Sequence, residues 1–110
     1  MYQVVFYVPE SHLESVKSAL FEAGAGQIGD YDQCAWQSLG SGQFRPLAQS
    51  SPFIGTINQV ETLAEYKVEM VCAAQYIKQA VQALLASHPY QTPAYHVFEI
   101  KTLGDFELGK

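Results

Sequence analysis

The sequence predicts an α+β domain of the ferredoxin-like βαβ-βαβ kind, a sandwich with a long, partly ordered middle loop. Three observations carry this. Two stretches have helical apolar periodicity, strand-forming runs stand on both sides of each, and the chain is too short for a larger plan. With 110 residues and 48% hydrophobic content, the polypeptide can bury one modest core, so residues 1–110 are read as one domain without an interdomain cleft.

Taken in order, Tyr2–Val8 (YQVVFYV) is rich in β-branched and aromatic residues and reads as the first strand. After Pro9, Leu13, Val16, Leu20 and Ala23 recur along one helical face, and Glu10 and Glu14 sit near the start, where the helix dipole favours acids. Gly24 ends that helix. Asp32–Ser38 predicts a second strand. In EYKVEMVC, Tyr66, Val68, Met70 and Cys72 alternate with Lys67 and Glu69, so one side of that strand is wet. The stretch Ala74–Pro89 places Ile77, Ala80, Val81, Leu84 and Leu85 on one helical face and stops before Pro89. Ala94–Thr102 reads as the last strand. Two strand-helix-strand units with both helices crossing one face of a sheet define the split βαβ arrangement.

Between the two units lies Leu39–Glu65, longer than a compact domain needs. Gly40, Gly42, Pro46, Pro52 and Gly55 punctuate it, while Phe44, Leu47, Phe53 and Ile54 are too apolar for a disordered loop. The first strand raises a related expectation. Tyr2, Val4, Phe6 and Val8 share one parity, yet Val5 and Tyr7 are apolar on the other. An apolar second sheet face marks an interaction surface. A homo-oligomer, expected to be a trimer, would pack through the sheet and the middle loop.

Charge and cysteine usage narrow the partners. Eleven acidic against six basic residues give a net charge of -5 with no basic run, which disfavours nucleic acid. No apolar run is long enough to span a membrane and no secretory signal is evident, so a cytoplasmic location is the expectation. Cys34 and Cys72 form no C-x-x-C pair and read as buried small hydrophobes.

Gly24, Gly26 and Gly29 stand in the spacing G-x-G-x-x-G. A dinucleotide fingerprint needs a strand before the first glycine and a helix after it, so that the helix N-terminus meets the pyrophosphate. Here the order is reversed. The glycines read as a helix C-cap and a tight turn into a strand.

Gly24, Gly26, Ile28, Gly29, Tyr31 and Cys34, followed by G-x-F-R-P (Gly42–Pro46), P-F-I-G (Pro52–Gly55) and H-P-Y-x-x-P-A-Y (His88–Tyr95), carry a resemblance to a known family. In that order and spacing, across Tyr2 to about Ile100, they resemble the insert domain of the YqfO-type proteins, the Nif-three-like family also labelled GTP cyclohydrolase type-two-like. The resemblance implies a fold similar to CutA and PII proteins, which are ferredoxin-like trimers with long loops. In that family the metal-ligand histidines and carboxylates lie in flanking halves that these residues do not include, so metal hydrolase activity is not carried over. Gln91 and Thr92 stand where the related insert usually has acidic residues, which removes any charge-based role of that turn.

Site chemistry remains to be placed. Gly29, Tyr31, Cys34, Phe44, Arg45, Pro46, His88 and Tyr90 are the candidate ligand-binding or interface residues. Arg45 is the one cation in an apolar loop and reads as an interface ion-pair partner, with an anionic ligand as the alternative. Asp30 and Asp32 read as turn groups, with cation binding as the alternative. His88 reads as a helix-end residue facing the terminal carbonyls, and neither its spacing from His96 nor that of His12 is typical of a metal pair. A Cys34–His88 thiol-imidazole pair is the nucleophile to look for. Trp36, Tyr31 and Phe44 could stack on a ligand but more often such rings serve packing. No catalytic residue and no resident cofactor is expected; a divalent metal at Asp30, Asp32, His88 or Cys34 is the weak alternative.

The functional expectation is a non-enzymatic oligomeric binding or regulatory module, with the Gly24–Cys34 turn, the F-R-P loop and the H-P-Y turn meeting at a subunit cleft around an unknown small ligand. A divalent-metal-binding protein of the CutA kind is the second reading. An enzyme acting on a small phosphorylated compound through Arg45 is the third.

Overall fold

The computed structural model describes residues 1–106; the final residues of the predicted domain, 107–110, lie outside the described residues. Strand β1 (Tyr2–Val8) is followed by a 3-10 turn (Glu10–His12) and helix α1 (Leu13–Glu22). Strands β2 (Trp36–Phe44) and β3 (Glu61–Cys72) form a long hairpin. Helix α2 (Ile77–Ser87) and strand β4 (Tyr95–Glu99) complete the second unit. The sheet order is β2-β3-β1-β4, antiparallel throughout. This is the predicted ferredoxin-like α+β arrangement.

Register explains the core. Val4, Phe6 and Val8 stand opposite Met70, Val68 and Tyr66, so one parity of both central strands faces the helices. These residues pack with Leu13, Val16 and Leu20 of α1 and with Ala80 and Leu84 of α2. The periodicity of α2 overshoots at one position: Leu84 is buried, but Leu85 is 45% exposed. The apolar stripe that meets the sheet is narrower than the sequence pattern suggests.

The glycine segment is resolved in detail. The Gly24 amide donates to the Phe21 carbonyl and the Ala25 amide to Leu20, the paired bonds that close a helix through a left-handed residue. Gly24 has φ +107, and a Cβ there would lie 2.6 Å from the Tyr76 ring, so both conformation and packing require glycine. Gly26 then ties the segment to β3 by donating to Val71, and its carbonyl accepts from Cys34. Gly29, with φ +56, opens a two-residue turn whose flanking residues Ile28 and Tyr31 exchange both backbone hydrogen bonds.

Three local expectations change. Strand β2 begins at Trp36 rather than Asp32 and continues to Phe44, through residues that read as loop. Strand β3 likewise begins at Glu61. The physical reason is that Gly40 and Gly42 are extended strand residues: the Glu65 side chain lies over Gly42, where any Cβ would collide with it. The loop proper is therefore Arg45–Val60. Cys34, expected as a buried strand residue, lies outside β2 and is half-buried, with its thiol donating to the Asp32 carbonyl at 3.6 Å. Cys72 is buried as expected.

The face without helices carries Gln3, Val5 and Tyr7 of β1, with Glu69 and His96 as the cross-strand partners of Val5. Val5 is buried there. Trp36 at 69% and Phe98 at 52% exposure remain open on the same face.

Candidate functional site

The last β1–β3 pair is Val8 with Tyr66, so the hairpin beyond it, Gly40–Phe44 with Glu61–Glu65, projects past β1 as a two-stranded ribbon. An isolated ribbon is marginal in water and needs something to pack against. Two segments supply it. The Arg45–Val60 loop returns over the ribbon, and the turn after α2 comes up beside it.

That turn is fixed by local sequence. Pro89 disfavours helical geometry for the residue before it, and His88 is extended, with φ -73 and ψ 137. The His88 ring Nε2 lies 2.7 Å from the Tyr7 carbonyl, and its Nδ1 accepts the Tyr90 amide at 3.1 Å. Nε2 must therefore carry the proton and donate to Tyr7. Burial holds the His88 imidazole below its ordinary value; the Tyr7 bond and the charge of Glu65 oppose that fall, and His12 adds to it. The expected interaction with helix-end carbonyls is not made by the ring, which bonds strand β1 instead.

Tyr90 links the turn to the ribbon. Its hydroxyl donates to Glu65 Oε2 at 2.8 Å. Burial, then the bond to Glu65 and its charge, push the phenol well above its usual range, so it remains a neutral donor. Its ring stands 4.8 Å from that of His88, 6.2 Å from Phe44 and 6.3 Å from Phe53. Phe53 also meets the edge of His12 at 5.5 Å. The Ser51 amide donates to Gln91 Oε1 at 2.8 Å, and the Asn58 amide to the Pro46 carbonyl at 2.6 Å.

Together these contacts enclose a cleft of about 190 Å³, lined by Phe44, Pro46, Ser50, Pro52, Phe53, Ile54, Tyr90, Gln91 and Thr92. No lining residue is charged. The surfaces offered are aromatic and aliphatic, with hydroxyl and amide groups at the edge.

Of the candidate residues, Phe44, Pro46 and Tyr90 line this cleft, His88 buttresses Tyr90, and Arg45 is exposed between two lining residues. Gly29, Tyr31 and Cys34 are not brought there. They lie near a shallower groove of about 350 Å³ lined by Ile28, Cys34, Trp36, Glu69 and Val71 among others. Trp36 and Phe44 are opposite ends of β2, about 27 Å apart at roughly 3.4 Å per residue. Within one chain the three motifs therefore form two groups, one at each end of β2. Cys34 and His88 do not pair either: Cys34 is tied through Gly26 to Val71, the partner of Gln3, whereas His88 bonds Tyr7. Those points are four positions apart along β1, about 14 Å at roughly 3.4 Å per residue.

Acid-base chemistry has little to work with in the cleft. His88 uses both ring nitrogens and the Tyr90 hydroxyl is committed to Glu65; the buried Cys72 thiol, pushed up by desolvation, lies at the other end of the sheet opposite Tyr2. Asp30 and Asp32 are exposed, and among the described residues no three His, Cys, Asp or Glu side chains converge as a metal site would require.

Glu65 was not legible as a site residue, because its parity matches the wet positions Lys67 and Glu69. Gln91 stands out in the sequence only as an uncharged residue, yet its side-chain oxygen anchors the loop. The apolar cluster Pro52–Ile54 in an otherwise polar segment was the signal for the far wall.

The chain has a ferredoxin-like α+β fold similar to that of CutA and PII proteins. PII-like protein CutA from Nostoc superposes with a TM-score of 0.67 at 18% identity, covering 96% of this chain and 86% of that one. A Bacillus cereus protein related to NIF3 superposes better, with a TM-score of 0.79 at 34% identity over 92% of this chain but only 26% of its own. The GTP cyclohydrolase 1 type 2 homolog of Mycobacterium leprae is 44% identical over 107 residues, 96% of this chain and 28% of that protein. The homologue of the same name from Bacillus subtilis is 38% identical over 99 residues, 90% of this chain and 26% of that protein. The chain is thus a homologue of one segment of the NIF3-related family, spanning between a quarter and a third of the length of these relatives. No family model matches it.

Proposed function

We propose that this chain is a non-enzymatic, self-associating binding or regulatory module whose cleft takes a small, uncharged, ring-bearing ligand. The observation that carries this is the cleft itself: three aromatic rings, two prolines and an isoleucine with neutral polar groups at the edge, and no charged group in the lining. Such a surface favours stacking and apolar contact over phosphate recognition. Arg45 then serves as an interface residue rather than an anion grip.

Self-association, expected as a trimer, is supported by the helix-free sheet face, where Trp36 and Phe98 are open on either side of the buried Val5. The proposed location is cytoplasmic; among the described residues no helix is long and apolar enough to cross a membrane.

A panel of small heterocycles and their phosphorylated counterparts, tested by ligand-observed NMR with the native mass recorded in parallel, checks both parts. Binding of the uncharged compounds that Phe44→Ala abolishes and Arg45→Ala leaves intact is the expected result. Preference for the phosphorylated forms with loss in Arg45→Ala would overturn the ligand reading, and monomer alone at micromolar concentration would overturn self-association.

A further inference from the structure

The polar contacts around His88 run in series. From the end of β1, Tyr7 accepts from His88 Nε2; His88 Nδ1 accepts from the Tyr90 amide; the Tyr90 hydroxyl reaches Glu65 on the ribbon. One position further on, Gln91 holds the Ser51 amide of the long loop. A single proton reverses the middle link of this series at His88 Nδ1, which accepts a hydrogen bond when neutral and becomes a donor when charged.

We infer that the turn after α2 is a proton-operated latch: protonation of His88 at Nδ1 removes the acceptor for the Tyr90 amide and releases Tyr90–Thr92, and with them the Arg45–Val60 loop, from the end of the sheet. Two donors would then face each other where one bond stood, in a site where His88 is only 7% exposed. The latch is closed in neutral solution, because burial favours the uncharged ring. It opens in acid.

The charged and titratable groups around the latch come from several elements. Glu65 of β3 favours the imidazolium through its charge, and His12 of the 3-10 turn opposes it. Lys67 of β3 stands opposite Tyr7 in the register. Arg45 is the one charged residue of the loop, and it is exposed. Lys78, the one charged residue of α2, lies in its first turn, at the end away from His88. His96 of β4 is exposed on the helix-free face. His12 is the competing trigger, since its ring also touches Phe53.

Nothing in the latch depends on the cleft having a ligand, so it stands or falls apart from the function proposed above. A pH titration of the whole chain by heteronuclear NMR, with the imidazoles of His12, His88 and His96 assigned separately, tests it. The amides of Tyr90, Ser51 and residues 53–58 should shift together at the midpoint of the His88 imidazole, while those of Val16 and Val68 stay in place. In His88→Asn, whose side-chain oxygen can accept the Tyr90 amide without titrating, the loop shifts should disappear. Loop signals that follow the His12 midpoint, that stay fixed as His88 titrates, or that move only when the core signals are lost would each overturn the latch. The wild-type titration decides this even if the Asn variant does not fold.

Discussion

The helix-backed part of the sheet and the projecting ribbon are held together by different forces. In the first, Val4, Phe6, Val8, Val16, Leu20, Val68 and Leu84 have no exposed surface, and burial of apolar area is sufficient to specify the packing. In the second, no helix covers Gly40–Phe44 and Glu61–Glu65, and order comes from a few rings and a handful of long-range hydrogen bonds. The difference teaches where tolerance lies. A hydrophobic core spreads its stability over many contacts, whereas a polar series fails at any one link.

The largest effect should come from the core. Phe6→Ala should cost about 3–5 kcal/mol, a large share of the roughly 5–15 kcal/mol available to such a domain. A urea titration followed by far-UV circular dichroism should show the midpoint collapse for the whole chain at once. A transition in which only the ribbon end is lost would break the distinction. Next comes Gly24→Ala, which forces a side chain into φ +107 against the Tyr76 ring; a loss of about 1–3 kcal/mol is expected from the same titration.

Changes at the ribbon end should be smaller globally but larger locally. Tyr90→Phe removes the donor to Glu65 and should lower global stability by about 1 kcal/mol. Hydrogen exchange should nevertheless show residues 46–59 losing protection while amides in Val4–Val8 keep theirs. Uniform loss across both regions would show that the two halves are one cooperative unit.

The pH dependence sharpens the same contrast. The folded-state imidazole of His88 lies below its ordinary value of 6.5, so below about that pH the unfolded chain binds the extra proton first. Its stabilising contribution is fully present above that pH and is lost as pH falls through the folded value. His88→Asn should remove that slope from the stability profile, and a slope unchanged in the variant would assign it to other groups. The smallest effect belongs to the open face. Trp36→Ser should change chemical-denaturation stability of the folded unit by no more than about 0.5 kcal/mol, while native mass spectrometry should show a smaller assembly if this face is the one that associates.

The legibility of each region follows the same division. Leu13, Val16 and Leu20, or Val68, Met70 and Cys72, announce themselves by spacing, because the period of a helix or strand is a local property of the backbone. The cap at Gly24 was equally readable, since a left-handed residue after an apolar helical stretch has few other uses. Gly40 and Gly42 misled for the complementary reason. Glycine in sequence signals a turn, and only the side chain of Glu65 lying across the strand shows what a larger residue at Gly42 would meet; at Gly40 the space is open. Of the site, Phe44, Pro46 and Tyr90 were singled out by their apolar or aromatic character in connecting segments, but their separation from Gly29, Tyr31 and Cys34 could not be read from order along the chain.

By itself, then, the sequence determined the element types, the split βαβ topology, the core face of α1 and, apart from Leu85, that of α2, because each rests on periodicities and caps that act within a few residues. Tertiary structure alone decided that β2 and β3 extend into a ribbon, that His88 turns to Tyr7 rather than to its own helix, and that Glu65 rather than Lys67 or Glu69 receives Tyr90. The physical reason is that apolar burial is non-directional and legible as a pattern, whereas a hydrogen bond between residues 25 or 81 positions apart depends on where two distant segments come to rest.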